Sequence, residues 1–176
     1  MNQKKPSLVI MGVAGCGKSS LGVAVARQAG LRLIEGDDHH SALSLRKMQS
    51  GVPLTDEDRD GWLAALSREL NEQPAGVVLT CSALKRAYRE RLRHAAPGLL
   101  FVYLEISRDQ ALARVTERAA SHFFSTSLVD SQFATLEVPT AEAGVLRVDA
   151  LASPDTLQAQ VCAWLGAQSR ASSRQA

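Results

Sequence analysis

The sequence predicts a single α/β domain in which helices cover both faces of a parallel sheet. Three observations predict it. Apolar runs of four to eight residues alternate along the chain with segments whose apolar residues recur at helical spacing. The runs are continuously apolar, as strands buried on both faces are. A glycine-rich loop stands between the first run and the first helical segment, the strand–loop–helix order of a right-handed parallel unit. At 176 residues the chain can bury one core without metal or disulfide staples and has no room for a second ordinary domain.

The first strand is Leu8-Val9-Ile10-Met11, and Gly12-Val13-Ala14-Gly15-Cys16-Gly17-Lys18-Ser19 follows it as a complete phosphate-binding loop. Leu21, Ala24, Val25 and Ala29 continue at helical spacing until Gly30 offers a stop. Glycines let successive backbone N–H groups turn inward around phosphate oxygens, and the helix N-terminus adds partial positive charge. Lys18 is placed to reach β- and γ-phosphates, and the Ser19 hydroxyl to coordinate Mg²⁺. Gly12, Gly15, Cys16, Gly17, Lys18, Ser19 and Ser20 are therefore the candidate nucleotide-binding residues.

Leu31 to Ile34, Val77 to Cys81, Leu99 to Ile106 and the shorter Val145 to Val148 read as the remaining strands. Thr55 before Asp56, Glu57 and Asp58 reads as a helix cap with an acidic first turn, followed by Trp62, Leu63, Leu66 and Leu70 on one face. Ser107 and Gln110 form a capping box ahead of Ala111, Leu112 and Val115. Ser153-Pro154 opens a last helix with a stripe of Leu157, Val161, Trp164 and Leu165. The small, polar residues 169–176 read as a disordered tail, leaving residues 1–168 as the folded domain.

Net charge is +2, from twenty basic and eighteen acidic residues, so the surface as a whole makes no case for nucleic acid or membrane. Cys16, Cys81 and Cys162 are odd in number and lack CxxC spacing, which argues against a disulfide framework and fits a reducing cytoplasm. The apolar stretch after the basic start lasts four residues, too short for a signal-peptide core, and no run approaches transmembrane length.

In a sheet of this kind ligands bind beyond the carboxyl ends of the strands. Glu35-Gly36-Asp37-Asp38-His39-His40 follows the second strand and Ser82-Ala83-Leu84-Lys85-Arg86 the third, so acids stand after one strand and bases after the next. Asp37 is either a base for an attacking hydroxyl or a turn aspartate, and Asp38 either binds magnesium through water or begins a helix. His39 and His40 are adjacent and lack a third ligand at metal spacing, which rejects zinc; one of them bonds a polar substrate, or the pair is idle. Lys85, Arg86, Arg89, Arg91 and Arg93 are the strongest local positive charge, with Arg86, Arg89 and Arg93 on one helical face. That face is a solvated surface, a nucleic-acid patch, or, at Lys85 and Arg86, a clamp for a substrate anion. Residues 121–139, with His122-Phe123-Phe124 and Ser131-Gln132-Phe133, read as a lid or as a helical hairpin with packing phenylalanines.

Taken with Lys47-Met48-Gln49-Ser50-Gly51-Val52-Pro53-Leu54-Thr55-Asp56-Glu57-Asp58-Arg59, Cys81-Ser82-Ala83-Leu84-Lys85, Tyr88-Arg89 and the stretch from His122 to Pro139, these segments closely resemble the gluconate kinases of the phosphate-loop type, relatives of shikimate and adenylate kinases. The resemblance runs from Leu8 to Asp149. It implies a three-layer P-loop kinase fold with a helical lid, and transfer of the ATP γ-phosphoryl group to the 6-hydroxyl of D-gluconate. ATP and Mg²⁺ are the implied cofactors and D-gluconate the implied partner, without nucleic acid or membrane; a homodimer is compatible with it. Lys18 and Ser19 match the phosphate and magnesium positions, and Asp37 the aspartate that orients the acceptor hydroxyl. His40, Arg59, Lys85, Arg89, His122 and Gln132 match polar positions around the sugar acid and lid.

Three departures stand out. Ser41 and Ser44 replace the family's proline and asparagine, and Gly61 replaces a proline before Trp62. Ala119 stands where an arginine precedes the lid histidine, which leaves Arg118, one residue further back, as the candidate for neutralising the transferring phosphate. Shikimate or a nucleoside monophosphate is the alternative acceptor. A nucleotide switch rests on Asp58-Arg59-Asp60-Gly61 as a DxxG element, but that string follows a helix cap instead of a buried strand. A nucleic-acid-binding ATPase rests on the Arg86 to Arg93 face alone.

Overall fold

The structure is a computed structural model, describing residues 6–119 and 126–173. Along the chain run β1 (Leu8–Met11), α1 (Lys18–Ala29), β2 (Arg32–Glu35), a 3₁₀ turn (Gly36–His39), α2 (Ala42–Gln49), α3 (Asp56–Asn71), β3 (Val77–Thr80) and α4 (Arg86–Ala95). They are followed by β4 (Leu100–Glu105), α5 (Arg108–Ala119), α6 (Ser127–Thr135), β5 (Val145–Asp149) and α7 (Pro154–Ser173). The five strands form one parallel sheet in the order β2-β3-β1-β4-β5. The connections from β1 and β3 leave in opposite directions, so the sheet's switch point, where such folds bind ligands, lies at their adjacent carboxyl ends.

Alternation along β1 divides the core. Leu8 and Ile10 pack on one face with Leu21 and Val25 of α1, Val115 of α5 and Val161 of α7. Val9 and Met11 pack on the other with Trp62, Leu63 and Leu66 of α3 and Leu92 of α4. The helices begin where their caps dictate. Thr55 and Asp58 form a reciprocal capping box at α3, and Ser107 and Gln110 exchange hydrogen bonds before α5. Ser41, one of the departures from the family pattern, caps α2 by accepting the Ser44 N–H at 3.1 Å.

Two expectations are corrected. Helix α7 extends through Ser173, so residues 169–173 are helical and not a disordered tail; adding a residue to a formed helix gains a backbone hydrogen bond without a new nucleation cost. The basic face of α4 is solvated only at Arg86; Arg89 and Arg93 turn inward. Arg89 is fully buried, and its guanidinium binds Glu142 at 2.5 Å, the carbonyl oxygens of Ala83 and Leu84 at 2.8 and 3.1 Å, and that of Glu137 at 2.9 Å. Arg93 lies over the Phe101 ring and shares Glu142. Five donors in a fixed fork let one arginine clamp the turn after β3, where Ala83 holds a left-handed backbone (φ 44°), to the segment beyond α6. Among the described residues, no helix is long and apolar enough to cross a membrane.

Removing one partner from a buried, hydrogen-bonded ion pair strands the other. Arg89→Met is expected to lower the unfolding free energy by about 3–5 kcal/mol, whereas Arg86→Met, at the surface, should change it by less than about 0.5 kcal/mol; denaturant unfolding measures both. Burial pushes the Glu142 carboxyl up, but hydrogen bonds from Arg89 and Arg93 outweigh it and hold the group below its ordinary range. The stability it contributes is therefore complete above the unfolded glutamate value of about 4.3 and is lost as pH falls through the depressed folded value. The acid limb of the unfolding curve should flatten in Glu142→Gln.

Candidate active site

The loop between β1 and α1 takes the form its glycines permit: Gly12, Gly15 and Gly17 all have positive φ, at 145°, 81° and 98°. Added side chains at Gly12 and Gly15 would meet the carbonyl oxygens of Leu104 and Ala111 at 3.0 and 2.9 Å, so the loop is wedged against β4 and α5. Lys18 Nζ lies over this loop, donating to the carbonyl oxygens of Gly12 and Val13 at 3.0 and 3.1 Å. From behind, Arg114 of α5 approaches the Gly15 and Cys16 carbonyls at 3.4 and 3.5 Å and donates to the Ala150 carbonyl at 3.1 Å.

Beside the loop, Ser19 Oγ donates to Glu35 Oε2 at 3.0 Å, and Thr80 Oγ1 donates to the same oxygen at 2.5 Å. A hydroxyl and a carboxylate in contact are hard oxygen donors of the kind that suit Mg²⁺ beside phosphates. Glu35 was not legible as a site residue in the sequence; as the last residue of a strand adjoining β3, its side chain is placed only by the sheet order.

The acceptor side is built on the 3₁₀ turn. Trp62 Nε1 donates to the Gly36 carbonyl at 2.7 Å, and its ring stacks on His40 with centroids 4.5 Å apart and planes 13° from parallel. That contact buries the His40 side chain to 5 % exposure and leaves its Nδ1 without a hydrogen-bond partner among the described residues. Burial pulls the imidazole below its usual value; Asp37 opposes this, and Arg59 and His39 add to it. The lowered pKa favours the neutral imidazole, in which one ring nitrogen can accept a hydrogen bond from a hydroxyl. Asp37, by contrast, is 81 % exposed at the side chain, with Oδ1 3.9 Å from His40 Nε2.

One cleft of about 380 Å³ joins the two sides. Lys18, Ser19, Ser20, Gly15 and Gly17 line it with Asp37, His40, Arg59, Arg118 and Gln132; Gly12 and Cys16 support the loop from outside the lining. Arg118 reaches the cleft from the last turn of α5, where the sequence put the arginine one residue from its usual place. Arg59 is buried, with Nη1 donating to the Leu54 carbonyl at 2.5 Å.

Two of the expected acceptor contacts are elsewhere. Arg89 is consumed by its buried clamp, as described above. Lys85 lies outside the lining, paired with Asp56 at 2.7 Å and above the Tyr88 ring, and that carboxylate raises its pKa. Gln132 lines the cleft but hydrogen-bonds the phosphate loop, its Oε1 accepting the Ala14 N–H at 2.6 Å. His122 falls outside the described residues, as do Phe123 and Phe124. Of the basic face on which the nucleic-acid reading rested, Arg89 is buried, Arg93 is paired with Glu90 and Glu142, and Arg86 alone of the three is exposed; Asp58-Arg59-Asp60-Gly61 lies within α3, where Asp58 pairs with Lys47 at 2.7 Å.

Comparison with known proteins places this geometry. Residues 8–139 match the AAA domain family. The gluconokinase of Gluconobacter oxydans is 42% identical over 160 residues, covering 89% of each chain, and the thermosensitive gluconokinase of Escherichia coli is 40% identical over 147 residues, covering 81% of this chain and 78% of the other. The crystal structure of a gluconokinase from Sinorhizobium meliloti superposes with a TM-score of 0.90 at 40% identity, covering 99% of both chains. A Mycobacterium tuberculosis APS kinase, 19% identical with a TM-score of 0.67, shares the fold alone. With matches of this extent over a cleft of this construction, the chain belongs to the gluconokinase family of phosphate-loop kinases.

Proposed function

We propose that the protein transfers the γ-phosphoryl group of ATP to the 6-hydroxyl of D-gluconate, giving 6-phospho-D-gluconate and ADP. The observation that carries this reading is the single cleft holding Lys18 and Ser19 on one wall and Asp37, His40 and Arg59 on the other. Membership of the gluconokinase family supports it, and the cations in the cleft suit an anionic acceptor.

Each residue has a defined task. The loop amides and Lys18 hold the phosphates and leave the γ-phosphorus facing the acceptor wall. Ser19 and Glu35 would hold Mg²⁺, which supplies neutralising charge to the β- and γ-phosphates. Asp37, the exposed carboxylate, takes the proton of the 6-hydroxyl as its oxygen bonds to phosphorus and the bond from phosphorus to the ADP oxygen breaks. Arg118 offsets the charge on the transferring group. His40, neutral and held by Trp62, bonds a hydroxyl of the chain, and Arg59 faces the sugar acid's carboxylate. Helix α6, within the segment 121–139 read as a lid, lines the cleft through Leu128, Ser131 and Gln132 and helps exclude water that would otherwise accept the phosphoryl group. ATP as donor and three unpaired thiols suit the cytoplasm.

An acceptor panel with ATP and Mg²⁺ tests the reading: gluconate is the expected substrate, with shikimate and AMP much poorer. Comparable efficiency on AMP, or no gluconate turnover, would remove it. Asp37→Asn keeps the size and loses the charge, so kcat should fall roughly 10²-fold or more with ATP affinity little changed. Near-normal kcat would make Asp37 a turn residue only, and lost nucleotide binding would make it a metal-site carboxylate. Lys18→Ala should abolish most transfer while the protein stays folded, since Lys18 lies over the loop and not in the core.

A further inference from the structure

The resemblance places Gln132 beside the sugar acid, whereas the structure places its amide on the phosphate loop. Its Oε1 accepts the Ala14 N–H at 2.6 Å, a contact spanning 118 residues of sequence. Ala14 is the third residue of the loop, and its N–H shares a peptide unit with the Val13 carbonyl, on which Lys18 Nζ rests at 3.1 Å. In loops of this type the lysine reaches the β- and γ-phosphates. The N–H and C=O of this trans peptide point in opposite directions, so the Ala14 N–H turns from Lys18 toward Gln132. Ala14, Lys18 and Gln132 line one cleft, and a phosphate bound there beside Lys18 would meet the Gln132 carbonyl oxygen at this N–H.

We propose that Gln132 competes with the γ-phosphate for the Ala14 N–H, so that helix α6 registers whether the bound nucleotide is a triphosphate or a diphosphate. This rests on the nucleotide-binding reading of the loop given above. A diphosphate leaves Gln132 on Ala14; a triphosphate displaces it. The displaced side chain is suited to remain nearby, because rotation about its terminal torsion, which has no sharp minimum, turns the NH₂ group in place of the oxygen toward an anion. Displacement is also felt across the cleft. Five residues earlier on the same helix, Ser127 Oγ donates to the Gly51 carbonyl at 3.2 Å, in the loop whose Pro53 and Leu54 line the acceptor wall. One short helix thus touches the phosphate loop and the acceptor loop at once.

Equilibrium titration of the full chain with ADP and with a β,γ-imido analogue of ATP, at fixed Mg²⁺ and without acceptor, tests the proposal. Gln132→Glu retains an acceptor for Ala14 and adds a negative charge against the γ-phosphate. It should weaken binding of the triphosphate analogue roughly tenfold or more while ADP stays within about twofold. Gln132→Leu cannot accept the N–H, so binding of the triphosphate analogue should equal or exceed that of the unaltered protein. Thermal unfolding of both variants establishes that each is folded; if the glutamate variant is not, the leucine variant decides. Equal weakening of both nucleotides by glutamate, no change in either, or a tenfold loss of triphosphate binding in the leucine variant would overturn the proposal. A raised KM for gluconate with unaltered nucleotide binding would return Gln132 to the acceptor side. Because the titrations contain no acceptor, failure of the unaltered protein to phosphorylate gluconate would count against the proposed reaction and leave this result standing.

Discussion

A side chain on Gly36 would put its Cβ 2.2 Å from the Thr80 carbonyl oxygen, and the arrangement of the cleft follows from that close approach. Only a residue without a Cβ lets the end of β2 lie this tightly on the end of β3. Three hydrogen bonds then converge at the junction: the Gly36 N–H reaches Thr80 Oγ1 at 3.4 Å, Thr80 Oγ1 reaches Glu35, and Trp62 reaches the Gly36 carbonyl. Glu35 in turn holds Ser19 of the phosphate loop. The turn that carries Asp37 is thereby tied to the nucleotide side through a chain of hydrogen bonds, as a phosphoryl-transfer site that works by positioning requires.

The basic residues divide into two kinds of work. Arg89, fully buried, and Arg93, half-buried, share Glu142, and Arg89 holds the turn after β3, including the left-handed Ala83, against the segment beyond α6. That turn contributes the Ser82 carbonyl that accepts the Gly12 N–H at 3.3 Å, so the buried pair of Arg89 and Glu142 supports the phosphate loop at one remove. Lys18, Arg59 and Arg118 line the cleft and supply its positive charge. The same residue type serves both ends because a guanidinium can satisfy several carbonyl oxygens in a dry interior or face an anion in a wet one.

Much of this was legible in the sequence. The five strands fall within a residue or two of the apolar runs, and the caps at Thr55 and Ser107 begin their helices as read. The phosphate loop lies where its pattern put it, and Asp37, His40, Arg59, Arg118 and Gln132 do meet in one cleft. What escaped depends on contacts between distant segments. Arg89 could not be told from a surface arginine because its partner, Glu142, lies fifty-three positions away on no recognisable motif. Glu35 acquires its place from the sheet order, and Gln132 its partner from the way α6 packs over the loop. Helix α2, capped by Ser41, and the preceding 3₁₀ turn, which has no side-chain cap at its start, are short and lack an apolar period to announce them.

The most direct test of this account is the kinetics of Gly36→Ala. The added methyl group meets backbone, which cannot swing aside as a long side chain would, so the turn bearing Asp37 must move while the phosphate loop is spared. Measured with gluconate, ATP and Mg²⁺, kcat/KM should fall about 10²-fold, with the affinity for a non-hydrolysable ATP analogue kept within a few-fold and unfolding still cooperative. Unchanged kcat/KM for gluconate in a folded Gly36→Ala protein would contradict the claim that this close approach sets the acceptor geometry.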